Sequence, residues 1–90
     1  MRIDRFLKLS RIVKRRSVAQ EMIIHGAVRV GGTEVRPSKD LTPGDVVEVA
    51  FPRKIITLRV ISVDESLLKR GGECFEVTDE RNVPGDQRPW

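Results

Sequence analysis

Seven basic side chains crowd the first sixteen residues: Arg2, Arg5, Lys8, Arg11, Lys14, Arg15 and Arg16, opposed there by Asp4 alone. The chemistry open to such a set is anion binding. A guanidinium is a planar fork that can hold two phosphate oxygens and can also stack on an unpaired base. Arg29, Arg36 and Lys39 extend the series, so residues 1–39 carry ten basic and three acidic groups, a net of +7. Residues 40–90 carry seven basic and ten acidic groups, a net of −3. An asymmetry of this kind suggests that one end meets a polyanion. A solvated basic face on an ordinary domain is the competing reading. A membrane surface is disfavoured, because the basic stretch holds no Trp and no lipidation signal.

Other chemistry finds little support. Asp4 has no second carboxylate beside it in a visible cleft, so it is expected to orient a neighbouring arginine or cap the first helix. His25 stands alone at an expected helix end. Cys74 is the single cysteine, and no second Cys or His is spaced to complete a zinc site. Gly31-Gly32 lacks the glycine-lysine-serine series of a phosphate loop. No cofactor, metal or catalytic residue is expected. The chain has no Tyr and a single Trp, Trp90, so recognition by phosphate contact and shape is expected over stacking on aromatic rings.

The elements that must position these groups can be read from periodicity. Ile3, Phe6, Leu7 and Leu9 share one arc with Ser10, predicting a helix over 3–10 with Arg5, Lys8 and Arg11 opposite. Residues 11–16 form a connector. Ser17-Val18-Ala19-Gln20 has the spacing of a capping box, predicting a second helix over 18–25 that Gly26 ends. Arg15 and Arg16 would then precede its N-terminus, a place suited to anions. After Gly26 the period becomes two. Residues 27–30 and 33–36 flank Gly31-Gly32, a tight-hairpin signal. Strands are expected at 46–51, over 54–63, and at 73–77. Residues 37–40 and 42–45 read as turns, and 67–72 as a loop or turn. The stretch from Glu80 shows no core pattern and is expected to be mobile. Two helices followed by a small, mostly antiparallel sheet make an α+β fold.

Length and composition bound the rest. Ninety residues, 39% apolar and 33% charged, with a formal charge of +4, fit one folded domain with a thin core. No segment reaches the roughly 18 apolar residues of a membrane span, and the basic start is not followed by the apolar run of a secretory signal. A cytoplasmic monomer is expected.

The ordered set Met1-Arg2-Ile3-Asp4-Arg5-Phe6-Leu7, Lys14-Arg15-Arg16-Ser17, Ala19, Ile24-x-Gly26-x-Val28-x-Val30, and Lys39 with Pro43-Gly44-Asp45 resembles the S-four RNA-binding domain, or alpha-L motif. The resemblance covers residues 1 to about 50. Residues 51–79 would complete the sheet and 80–90 would be a flexible tail. Within that superfamily the chain most resembles the stand-alone branch, which holds the fifteen-kilodalton heat shock protein and the RqcP-like (YabO) ribosome-quality-control proteins. The opening residues, the short length and the strand pair near Lys54–Val60 look more like the latter. The resemblance implies a non-enzymatic protein bound to large-subunit rRNA and peptidyl-tRNA on a large ribosomal subunit. It would support an RqcH-type elongation factor that adds an untemplated alanine tail. Arg2 and Arg16 match the arginines expected to touch RNA. Gly31-Gly32 departs from the Asn-Gly of many members, a change that suits the same turn.

Three alternatives remain. One is a heat-shock-type factor that recycles large subunits with a trapped nascent chain. A second is a DNA-binding helix-turn-helix regulator reading bases with Gln20, Glu21 and His25, a poor set for the major groove. The third is an RNA-modifying enzyme, for which about 40 residues beyond the matched region leave little room.

Overall fold

The computed structural model describes residues 1–84; the expected tail beyond that point lies outside the described residues. The first helix, α1, spans Ile3–Leu9. Its spacing puts Ile3, Phe6 and Leu7 on one fully buried face. The helix stops where Arg11 takes a left-handed backbone, φ 64°, the one non-glycine residue to do so among those described. Its amide donates to the Lys8 carbonyl at 3.1 Å. Glycine is favoured at such a position.

The second helix, α2, spans Arg16–Ile24 and buries Ala19 and Ile23. It starts earlier than the capping box predicts. Arg15 occupies the N-cap without a side-chain cap bond, and Gln20 bonds elsewhere (below). The C-terminal reading holds. Gly26, at φ 79°, donates to the Ile23 carbonyl at 3.1 Å, and Ala27 donates to Met22 at 2.8 Å. This is the paired closure in which a left-handed residue satisfies the last carbonyls.

The sheet has five strands: β1 Val28–Val30, β2 Thr33–Glu34, β3 Val46–Phe51, β4 Lys54–Val60 and β5 Phe75–Asn82. Their order is β2-β1-β3-β4-β5, and every pairing is antiparallel. Gly31 and Gly32 both have positive φ, 59° and 79°, as a two-residue hairpin turn requires. Alternation sends Val28, Val47 and Val49 to the helical side, where they are buried with Leu58, Val60 and Leu41, none of the six more than 1% exposed. Each fully buried aliphatic or aromatic side chain contributes roughly 1.5–3 kcal/mol.

Three further elements differ from expectation. The strand expected over 54–63 stops at Val60. Residues 65–69 form a third helix, α3 (Glu65–Lys69), which takes in the first half of the loop or turn expected over 67–72. Asp64 caps it, accepting from the Leu67 amide at 3.1 Å, and Leu68 is buried beneath it. Five residues are too few for a periodic signal. The last strand begins at Phe75, not at 73, and runs to Asn82, so Glu80, Arg81 and Asn82 belong to it. Cys74 ends up in the core at 1% exposure.

Candidate nucleic-acid interface

The organising group is Asp4. It is the one buried charged residue among those described, at 0% exposure. Its placement follows from α1: position 4 lies beside the buried positions 3 and 7, facing α2. A carboxylate taken out of water must recover its hydrogen bonds from the protein. Asp4 does so with four partners. Oδ1 accepts from the Arg5 amide at 2.7 Å and from an Arg16 terminal nitrogen at 3.4 Å. Oδ2 accepts from Gln20 Nε2 at 2.9 Å and from an Arg2 terminal nitrogen at 3.1 Å. Arg16 Nε lies 3.3 Å from the same Oδ2. Burial pushes the carboxyl pKa up. The bonds from Gln20, Arg16 and the Arg5 amide, with the charge of Arg16, outweigh that and hold it below its ordinary value.

This arrangement fixes two arginines. The Arg2 and Arg16 side chains remain 46% and 41% exposed, so each has donors turned to solvent while one edge is held. Fixing guanidinium groups before a phosphate arrives lowers the ordering cost of binding. Arg2 is held from its own side as well. It forms an isolated bridge to Asp40. The Ile3 amide donates to the Lys39 carbonyl at 2.7 Å, and the Leu41 amide donates to Met1 at 2.8 Å. The turn that bears Lys39 therefore sits against the start of α1. Arg15 and Arg16 open α2, whose first turn has no side-chain cap, and Arg15 and Lys14 are exposed. Arg2, Lys14, Arg15, Arg16 and Lys39 thus gather around the N-terminal ends of the two helices.

The other expected residues stand apart. Arg5 forms an ion pair with Glu65 of α3, which also meets Lys69 at 3.6 Å. Lys8 is exposed in the last turn of α1. Arg11 lies beyond that helix and lines a surface cleft together with Phe75 and Val77 of the sheet. Arg29 is in register with Glu34 on β2 and Glu48 on β3, on the sheet face opposite the helices. Arg36 is exposed at the head of the turn that carries Lys39.

Asp4 orients arginines, as its isolation in a basic stretch suggests, and from inside the first turn it also satisfies the Arg5 amide of α1, although the N-cap residue itself, Arg2, makes no side-chain cap bond. The sequence offers no sign of Gln20 as a partner of Asp4 or of Glu65 as a partner of Arg5, since each pair joins two different helices. Gln20 is no longer free to read a base edge, which removes one of the three side chains a helix-turn-helix would use. Burial raises the Cys74 thiol pKa, as does the charge of Asp64; such a thiol is inert.

Residues 1–47 match the family model described as S4 domain. The chain belongs to the S4 domain family. Among similar proteins is the RQC P-site tRNA stabilizing factor of Streptococcus pneumoniae, 37% identical over 84 residues, covering 92% of this chain and 96% of the relative. The factor of the same name from Bacillus subtilis is 38% identical over 69 residues, 77% of this chain and 80% of the relative. At this identity and coverage the chain is a member of that factor's family too. The fold matches that of the trimeric heat shock protein 15 of Vibrio cholerae, with a TM-score of 0.75 at 22% identity, over 87% of this chain and 81% of that one. At that identity the likeness concerns fold alone. The expected family and the α+β architecture both stand.

Proposed function

We propose that this chain is a non-enzymatic RNA-binding protein of ribosome quality control. Its Arg2–Asp4–Arg16 face would bind large-subunit rRNA together with the tRNA of a stalled peptidyl-tRNA. There it would support an RqcH-type factor in alanine tailing. The observation that carries the reading is the buried carboxylate holding two exposed arginines at the meeting of α1 and α2. The relatives' name, RQC P-site tRNA stabilizing factor, supports the tRNA and quality-control parts of this reading. A heat-shock-type recycling role has the fold likeness in its favour. The higher identity and fuller coverage of the stabilizing factors favour the first reading.

Sedimentation tests it. The wild-type chain should travel with large subunits that retain peptidyl-tRNA, and Arg2→Ala and Arg16→Ala should stay at the top of the gradient. A wild-type chain that stays at the top at low salt overturns the proposal. Light scattering of the free protein checks the monomer.

A further inference from the structure

An open groove runs between the outer side of α2, the connector before it and the turn that joins β3 to β4. Its volume, about 920 Å³, lies in the range of small-ligand sites, about 300–1,000 Å³. Ile12, Val18 and Met22 form one wall, and Phe51 forms the other. Val18 is 42% exposed there and continues the apolar lining of Ile12, Met22 and Phe51; a contiguous apolar surface of this kind marks a contact site. The polar groups are few and placed at the margins: Lys14 and Arg15 at the connector, Glu21 and His25 along α2.

We infer that this groove receives one unpaired nucleobase of the bound RNA, with guanine the best fit, while Lys14 and Arg15 hold its phosphates. The inference rests on the RNA-binding reading and deepens it. Two observations favour a nucleotide over an apolar peptide. First, the groove is continuous with the arginine face, because Lys14 and Arg15 line it and lead directly into Arg16. A strand held at Arg16 passes the mouth of the groove. Second, the charges are distributed as a nucleotide requires. Cations stand where the backbone would run, and apolar walls stand where the base would lie. An unstacked base can rest its faces on aliphatic side chains and on the Phe51 ring while its edge seeks hydrogen bonds. The Glu21 carboxylate offers two acceptor oxygens, which match the adjacent N1–H and N2–H donors of the guanine Watson–Crick edge. Uracil presents a carbonyl on either side of its N–H and would meet that carboxylate poorly.

The test uses the full chain and three RNA probes: a hairpin with a single bulged guanosine, the same hairpin with a bulged uridine, and the same hairpin fully paired. Binding is followed by fluorescence anisotropy as salt is varied. The wild type should prefer the bulged-guanosine probe over the paired one by at least about fivefold, the low end of what one stacked base contributes. Val18→Ser, an uncharged change on an exposed position, should reduce that preference and leave both the affinity for the paired probe and its salt slope unchanged. Glu21→Gln should weaken the preference for bulged guanosine over bulged uridine. Equal binding of the bulged and paired probes by the wild type, or a preference that is unchanged in Val18→Ser, overturns the inference and leaves the arginine face intact. A Val18→Ser effect confined to self-association also overturns it, and assigns the groove to a second copy of the chain. Failure of all the probes to bind at any salt overturns the inference and the RNA-binding reading together.

Discussion

Gln20 donates from Nε2 to Asp4 Oδ2 at 2.9 Å, joining α2 to α1 across sixteen residues of sequence. The bond ties an uncharged side chain to the posture of two charged ones, because the same carboxylate holds Arg2 and Arg16. Gln20→Ala should cost about 1.5–3 kcal/mol of stability, the range for a hydrogen bond to a charged group. It should also weaken RNA binding although no positive charge is lost. Urea denaturation and binding to the same RNA, measured side by side, check both.

The Asp4 carboxyl has a lowered pKa in the folded protein. Unfolded, it titrates near the ordinary aspartate value of about 3.9. Between the two values the unfolded chain binds the proton that the folded chain refuses. The stabilisation is therefore complete above pH 4 to 5 and is lost as pH falls through the lower, folded pKa. Acid unfolding curves of the wild type and Asp4→Asn should converge at low pH and separate above it, with the variant less stable.

The basic residues should not count equally. Arg2→Ala and Arg16→Ala should each remove about one phosphate contact and reduce the salt slope of RNA binding by roughly 0.7–0.9. Arg29→Ala should leave the slope unchanged, because Arg29 stands between Glu34 and Glu48 in register. Titrations over a range of salt separate the two classes.

Arg5 is held by Glu65 in the free protein. The pair is about half exposed, so its contribution to stability is small, about 0.2–1 kcal/mol. Glu65→Gln should leave thermal stability nearly unchanged, release the guanidinium, and raise RNA affinity a few-fold. An unchanged affinity would show that Arg5 makes no RNA contact.

Arg11 occupies a left-handed position that costs an L-residue roughly 1–2 kcal/mol. Arg11→Gly should therefore raise the melting temperature. Its effect on RNA affinity, read in the same variant, reports the contribution of the side chain without a loss of stability to confuse it.

How far the sequence reaches can be judged from these residues. The period of 3.6 over Ile3–Leu9 and the Gly31-Gly32 turn are local features, and both were legible. Gln20 was misplaced because Ser17-x-x-Gln20 is a sound local pattern that a tertiary bond overrides: the buried Asp4 carboxylate needs the donor. The short α3 had its one signal in Asp64, a capping side chain that periodicity ignores. In the last strand, burial is confined to the start, since only Phe75 is partly buried and every later residue is exposed. Alternation thus gave no guide beyond Val77. The sequence also shows the basic residues as one run. Folding divides that run by partners far along the chain, and the Arg5–Glu65 pair, sixty residues apart, cannot be seen in composition.

The junction of Arg2 with Asp40 and of Met1 with Leu41 has a consequence for the order of events during synthesis. The arginine face is assembled from the first residues and from a turn translated forty residues later. A nascent chain that has released only its helices carries Arg2 and Arg16 without the support that seats Arg2. The geometry is completed only when the fortieth residue has cleared the exit tunnel, so a shorter chain bears the charge of the binding face but not its shape.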